Sequence, residues 1–296
     1  MNWDDMKLFL AVARTGTISG GAKQLGVQHS TVSRRLRALE QQLGARLIER
    51  KKTGFELTVA GENFKQAAIR VEREIINVDE ALLGKDTKLV GSLRVTAINN
   101  MASTILMPMF ARFSQQHPEV KLHVIVSNTD VSLVQREADL AIRLTNSPTE
   151  SLIGKRMLTV ASTIYGSQEY IKSLKQQAAD PKWLGVECCV FHKTWTKQYC
   201  SHQSHNFYSD DTLLTLAAIK ENLGVSYLPC FLGDSDPALE RYCEPNELHN
   251  LGLWILMHPD LKRTARVLAF RDHIIQCVQE QQDLFEGRIA KDNIVS

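Results

Sequence analysis

Ser30, Thr31, Ser33, Arg34 and Arg37 share one side of a stretch whose other side carries Val32, Leu36, Leu39 and Leu43. Apolar residues four, three and four apart make a single stripe on a 3.6-residue helix. Gln28 and His29 lead into that helix, and Gly26 just before it tolerates a left-handed turn at little steric cost. Hydroxyls and guanidiniums near the start of an amphipathic helix suit recognition of a polyanion. Arginines hold phosphates while side chains at the N-terminal end reach base edges in the DNA major groove. Arg46, Arg50, Lys51 and Lys52 follow, then Thr53-Gly54, a turn signal between Leu47-Ile48 and Phe55–Leu57. That pattern predicts a small hairpin, a wing lying along the nucleic-acid backbone. The candidate DNA contacts are therefore Gln28, His29, Ser30, Thr31, Ser33, Arg34, Arg37, Arg50, Lys51 and Lys52.

Other chemistry has less support. Cys188, Cys189, Cys200, His192, His202 and His205 are dense in soft ligands, yet adjacent cysteines on a strand point to opposite faces and no C-x2-C pair occurs. No metal and no cofactor is expected. Sensing through the thiols or a metal stands as an alternative. The chain has no G-x-S-x-G, no P-loop and no G-x-G-x-x-G, so no motif assembles its Ser, His and Asp residues into an enzyme.

Positioning elements can be read in order. Asp4 begins a first helix with Met6, Phe9, Leu10 and Ala13 on its apolar side, and Ser19 caps a second that runs through Ala22 and Leu25. Thr58 reads as the cap of a long helix from Ala60 to about Leu83. Its Phe64, Ala68, Val71, Ile75, Val78 and Leu82 form a heptad seam, which buries itself best against a second copy. Residues 84–88 read as a polar hinge. Beyond it strands and helices alternate, the signature of a parallel sheet with helices on its faces. The strands are 93–97, 121–126 and 139–143, then 188–191, 207–208, 225–228 and 253–257; the helices are 104–116, 131–137, 211–222 and 267 to about 285. Ligands bind such sheets at the C-terminal strand ends. There lie Asn99, Asn100, Met101 and Ser103, then Asn128 and Thr129, Arg143 and Thr145, and Phe191 and His192. Ser103 is expected to cap the following helix, and the donors suit a small polar, anionic effector.

Charge is unevenly spread. Residues 1–61 hold ten Lys+Arg against five Asp+Glu, and the remainder is net −3 within a total of +2. Positive charge thus gathers where phosphates would lie. The acidic start, Met1 to Asp5, lacks the basic and apolar regions of a secretory signal, and no run approaches eighteen apolar residues. A cytoplasmic protein with no membrane partner and reduced cysteines is expected.

The N-terminal sixty residues resemble the DNA-binding domain of LysR-type transcriptional regulators. The likeness is carried by Phe9, Val12, Gly16, Ala22, Leu25, Val32, Ser33, Arg34, Leu39, Glu40, Leu43, Gly44, Leu47, Arg50, Leu57, Thr58 and Gly61. Gly21 stands where that family usually has Ala and His29 where it usually has Gln, so the base preference there is not carried over. Gly91 to Val95, Pro108, Phe113, Pro118, Asp139 to Arg143, Gly224, Pro229 and His258 to Leu261 are similar to the family's effector-binding region. The resemblance implies an all-α winged helix-turn-helix domain (1–58), a linker helix and hinge (59–90) and a two-lobed, periplasmic-binding-protein-like α/β domain (91–296). Lobe I would comprise 91–162 and 263–296, and lobe II 163–262. It also implies double-stranded DNA, a small-molecule effector and RNA polymerase as partners of a homodimer or homotetramer. A solute-binding protein without a DNA role is the reading from another class.

Overall fold

Asn2 starts the first helix. In the computed structural model its side chain accepts the Asp5 amide while the Asp5 carboxylate accepts the Asn2 amide, a reciprocal capping box that opens α1 (Trp3–Thr15). The structure describes residues 1–51, 54–82, 88–127, 138–148, 152–177, 179–186, 207–247 and 250–288. It divides into two compact units, Met1–Lys85 and Asp86–Ser296.

In the first unit α1 buries Leu8, Phe9, Leu10, Ala11 and Val12, with Met6 and Ala13 only half-buried. Next comes α2 (Ile18–Leu25), capped by Thr17, whose side chain accepts the Gly20 amide at 3.0 Å. Ser19 was expected in that role, but it lies one residue inside the helix, where a hydroxyl cannot cap. Gly26 ends α2 in the left-handed region at φ 66°. Gly21 is buried, and a Cβ on it would lie 2.8 Å from Cγ2 of Val12. Its absence lets α1 and α2 approach closely. α3 (His29–Leu43) buries Val32, Leu36 and Leu39, while Leu43 is left 37% exposed. The wing is real: β1 (Ile48–Lys51) and β2 (Gly54–Leu57) pair antiparallel with Ile48 opposite Leu57. Thr58 then caps α4 (Val59–Leu82), its hydroxyl accepting the Gly61 amide at 2.9 Å.

The seam of α4 divides. Phe64 packs edge-on to Phe9 with centroids 5.0 Å apart, and Ala68 is fully buried within this chain. Arg14 of α1 pairs with Glu72 at 2.5 Å. Val71 and Ile75 are half-buried and Val78 is exposed. The side chain of Leu82 lies outside the described set, as do residue 83 and residues 84–87 of the expected hinge.

The second unit carries a five-stranded sheet in the order β4-β3-β5-β12-β6. β3 (Gly91–Ala97) runs parallel to β4 (Val120–Val126) and β5 (Leu140–Leu144). β6 (Ile153–Val160) and, late in the chain, β12 (Leu251–Met257) run antiparallel to each other, with β12 also antiparallel to β5. Between β3 and β4 lie α5 (Asn99–Ser103) and α6 (Met107–Gln116), two helices where a single one over 104–116 was expected. The other lobe holds β7 (Ser162–Ser167), α7 (Gln168–Gln177), β8 (Gly185–Val186), β9 (Tyr208–Ser209), α8 (Thr212–Lys220), β10 (Ser226–Pro229), α9 (Cys230–Gly233) and β11 (Leu239–Arg241). Its three-stranded sheet, β10-β7-β11, is wholly antiparallel, and β8 pairs parallel with β9. α10 (Ala265–Glu280) and α11 (Gln282–Phe285) end the described chain.

Two expectations are corrected. The five-stranded sheet is mixed, because β12 runs antiparallel to both its neighbours, β5 and β6, and the three-stranded sheet is wholly antiparallel. The chain also returns to lobe I before Leu251, since β12 hydrogen-bonds between β5 and β6; the expected return near Lys262 is too late. The strand expected at 188–191 and the helix at 131–137 lie outside the described residues.

Gly61 gives a direct test of the first unit. A Cβ there would overlap the Leu47 carbonyl oxygen, a backbone atom that cannot rotate away. Gly61→Ala gains about 0.5–1 kcal/mol of helix propensity but meets an overpacking cost of about 1–3 kcal/mol or more. The calorimetric transition of the N-terminal unit should therefore move to lower temperature; an unchanged or raised midpoint would contradict this packing.

Candidate nucleic-acid interface and ligand cleft

Gln28 is the N-cap of α3 but makes no side-chain cap bond; only its carbonyl is used, accepting the Thr31 and Val32 amides. Gln28, His29, Ser30, Arg34 and Arg37 are exposed, and Thr31 and Ser33 are half-buried. Beside them lies a groove of about 930 Å³ between the start of α2, the flank of α3 and the base of the wing. Thr17, Ser19, His29, Ser33, Arg37 and Arg46 contribute polar groups to it. Its acid, Glu40, turns Oε1 to the Leu47 and Ile48 amides at 2.8 and 3.2 Å, which fixes the start of the wing against α3. The groove thus pairs cations and hydroxyls with a carboxylate already engaged by backbone donors. Arg50 and Lys51 fall on β1, and Lys52 lies outside the described residues. Thr17, Ser19 and Arg46 were not among the expected contacts. The pairing that brings the wing base beside α2 is a tertiary fact that no local spacing encodes.

In the second unit β3 and β5 run level, with Ala97 opposite Ile142, so the loops after both strands open at one sheet end. Asn99 heads α5 there. Its Nδ2 donates to Asp211 Oδ2 at 2.9 Å, and its Oδ1 accepts the Ser103 hydroxyl at 3.0 Å. Asp211 belongs to the opposite lobe, where its Oδ1 caps α8 by accepting the Leu214 amide. Partial burial raises the Asp211 pKa, but the Asn99 amide and the Leu214 and Leu213 backbone amides together hold it below the usual carboxylate range. One hydrogen bond therefore spans the lobes between a sequence-predicted ligand residue and a helix cap.

The other predicted residues have varied surroundings. Asn100 is 7% exposed, and its Oδ1 has no partner among the described residues. Met101 has no exposed surface and belongs to an apolar cluster that draws on both lobes. Ser103 ends α5 and does not cap α6, whose N-cap is Leu106. Arg143 is buried and donates from Nη2 to the Thr96 hydroxyl at 2.9 Å. The Thr145 hydroxyl accepts the Ser147 amide in a turn whose carbonyl also takes the Trp254 indole N–H. Asn128, Thr129, Phe191 and His192 lie outside the described residues, with Cys188, Cys189 and Cys200.

Of the three described thiols, Cys230 and Cys277 are buried and Cys243 is half-buried. Burial pushes the Cys230 thiol up to about 11 and also raises that of Cys277. No group of three or more His, Cys, Asp or Glu side chains among the described residues could hold a metal, and no described helix is long and apolar enough to cross a membrane.

Comparison with known proteins gives the same division. Residues 3–62 match a family described as bacterial regulatory helix-turn-helix protein, lysR family, and residues 87–278 match the LysR substrate binding domain. An HTH-type transcriptional regulator of Xanthomonas campestris is 30% identical over 208 residues, which is 70% of this chain and 59% of that protein. The probable HTH-type transcriptional regulator LtrA of Klebsiella pneumoniae is 24% identical over 298 residues, covering 93% of this chain and 94% of LtrA. Among solved structures, full-length CbnR in complex with its target DNA has a TM-score of 0.65 at 18% identity, covering 94% of this chain and 100% of CbnR. CrgA from Neisseria meningitidis has a TM-score of 0.55 at 22% identity, over 93% and 98%.

An outward arginine that holds a phosphate should show itself in the salt dependence. Arg34→Ala or Arg37→Ala should weaken binding to every DNA sequence and lower the slope of log K against log[salt] by about 0.9. Gln28→Ala or His29→Ala should instead change preference between sites. Unchanged affinity and slope for Arg34→Ala would remove that residue from the interface.

Proposed function

The chain belongs to the lysR family of bacterial regulatory helix-turn-helix proteins, and from that premise we propose how its parts divide the work. It is a LysR-type DNA-binding transcriptional regulator and not an enzyme. α3 enters the major groove, with Gln28, His29, Ser30, Thr31 and Ser33 at base edges and Arg34 and Arg37 on phosphates. Arg50, Lys51 and Lys52 run the wing along the neighbouring backbone. The observation that carries this reading is the exposed polar start of α3 beside a groove whose carboxylate is already taken. CbnR is a relative in fold that was solved on its target DNA. A gel-shift assay with DNA flanking the protein's own coding region tests the reading. No shift with any such fragment would count against it.

The pairing of two copies falls to the C-terminal half of α4, because Phe64 and Ala68 are already covered by α1. Val71, Ile75, Val78 and Leu82 form the homodimer seam, and dimers pair further into a tetramer through the second unit. Ile75→Asp should lower the mass of the full chain in sedimentation at micromolar concentration, since a charge buried in an apolar seam is costly unless paired. A wild-type chain that is monomeric at high micromolar concentration would sink the claim.

The second unit binds a small polar effector between its lobes. Asn99 and Asp211 meet there, so the effector has a donor or cationic group for Asp211 and an acceptor for Asn99. This revises the expectation of a purely anionic ligand. A compound that binds should raise the melting temperature, by mass action worth about 2.7 kcal/mol at a hundredfold excess over Kd. Asn99→Ala with Asp211→Ala should abolish that shift and leave DNA binding intact. A double variant that keeps the full shift would move the site elsewhere.

A further inference from the structure

Three arginines stand within four residues of α3, and they are not equivalent. Arg34 and Arg37 are exposed, whereas Arg35 is half-buried. At about 100° per residue, Arg34 and Arg37 lie about 60° apart, and Arg35 lies about 100° beyond Arg34, away from Arg37. That flank faces α1. Arg35 donates from Nη2 to Asp5 Oδ1 at 2.8 Å. The other carboxylate oxygen of Asp5 accepts the Asn2 amide at 3.2 Å, and Asn2 in return accepts the Asp5 amide at 3.0 Å. One carboxylate therefore closes the capping box of α1 and holds the middle of α3. Its guanidinium partner is the largest cause keeping the Asp5 carboxyl below the usual carboxylate range.

We propose that Arg35 is a positioning residue for sequence reading: through Asp5 it fixes the tilt and roll of α3 against α1, and it makes no contact with phosphate. This rests on the reading that α3 enters the major groove. The apolar contacts of Val32, Leu36 and Leu39 hold α3 to the core, but dispersion contacts have little directional preference. The ion pair adds a directional restraint from the flank. Gln28 lies seven residues from Arg35, about 10 Å along the axis. A tilt of about 10° would move it by about 2 Å, several times the roughly 0.5 Å spread of good N–H···O distances. Such a tilt would disrupt base contacts at Gln28, His29 and Ser30. Phosphate contacts from long, exposed arginines would adjust to it. A half-exposed pair adds little to stability, so its loss should be read in discrimination and not in folding.

The test uses the full chain, a duplex selected from a randomised pool and a scrambled duplex, with binding measured from 50 to 200 mM NaCl. Arg35→Ala and Asp5→Ala should each reduce the selected-to-scrambled affinity ratio about tenfold. Neither should change the salt slope on the scrambled duplex, and melting curves should show both variants folded at the assay temperature. Arg35→Ala with Asp5→Ala together should lose no more than either alone, because the two act as one unit. Arg34→Ala, in parallel, should lower the slope by about 0.9. A slope lowered by the same amount in Arg35→Ala would make it a phosphate contact and overturn the proposal. So would additive losses in the double variant, or a wild-type ratio in Asp5→Ala. If Arg34→Ala and Arg37→Ala also leave every affinity unchanged, α3 is not the DNA face, and the reading beneath the proposal fails first.

Discussion

Phe9 has no exposed surface, and the DNA-reading unit is assembled around it. Its neighbours in the same core come from α1, α2, α3 and the wing: Val12, Ile18, Ala22, Val32, Leu36, Leu39, Leu47 and Ile48, with Phe55 and Leu57 packed against them and Phe64 against Phe9 from α4. A domain of about 60 residues buries only about 60% of the surface its unfolded chain exposes and is marginal alone. The linker helix makes up part of that deficit. Phe64 and Ala68 complete the core, and Arg14–Glu72 ties the next turn of α4 to α1. The helix is therefore a structural member of the DNA-reading unit before it can bridge two copies. The helix is keyed through Phe64 to α1, and α1 through Asp5 to α3.

In the second unit the equivalent constraint is topological. β12 arrives late in sequence yet sits between β5 and β6, so early and late segments close lobe I together. The chain leaves lobe I at Ala161, whose amide donates to the Phe285 carbonyl and whose carbonyl accepts the Cys230 amide. Close by, Tyr165 and Arg241 both hydrogen-bond the buried Asp234 carboxylate, and Arg241 also donates to the Gly287 carbonyl. A buried carboxylate is tolerable only when its oxygens are matched this fully. The network fastens the second lobe to the last described turn of the chain, beside the crossover. The Asn99–Asp211 bond lies at the other end, where α5 also packs against α8 and one apolar cluster joins Met101 and Ala102 to Ala218 and Ile219.

What could be read in the sequence follows from which physics is local. The stripe on α3, the left-handed Gly26, the Thr58 cap and the wing hairpin all rest on spacing or on single-residue conformational preference, and all are found. The cap at Thr17 was misplaced by two residues because Thr17 and Ser19 are equally good cap chemistries, and only the backbone turn separates them. β6 was missed because its first four residues are exposed, so Ile-Gly-Lys-Arg gives no alternation. The late return of β12 was invisible because a strand's partner depends on the whole sheet. In the cleft, Met101 is placed after a strand by its spacing, whereas α5 turns it into the core; Asp211 opens the expected helix and caps it, but its second oxygen reaches across the lobes. The division of labour among Arg34, Arg35 and Arg37 needs Asp5, thirty residues away, to be seen.

A regulator needs a group whose state changes with its signal, and the described residues offer two kinds. Thiols act as thiolates. Burial pushes the Cys230 thiol up to about 11, which keeps it protonated at neutral pH. Its side chain has no exposed surface, so an oxidant would have to reach a buried and almost wholly protonated sulfur. Cys277 is shifted in the same direction by the same cause. The cleft has the opposite character. Asp211 stays ionised at neutral pH, is partly exposed, and holds its cross-lobe partner through one replaceable hydrogen bond. An incoming donor exchanges that bond for a better one without first breaking a core. A change of partner at Asn99 and Asp211 therefore requires a smaller structural change than oxidation of Cys230 or Cys277.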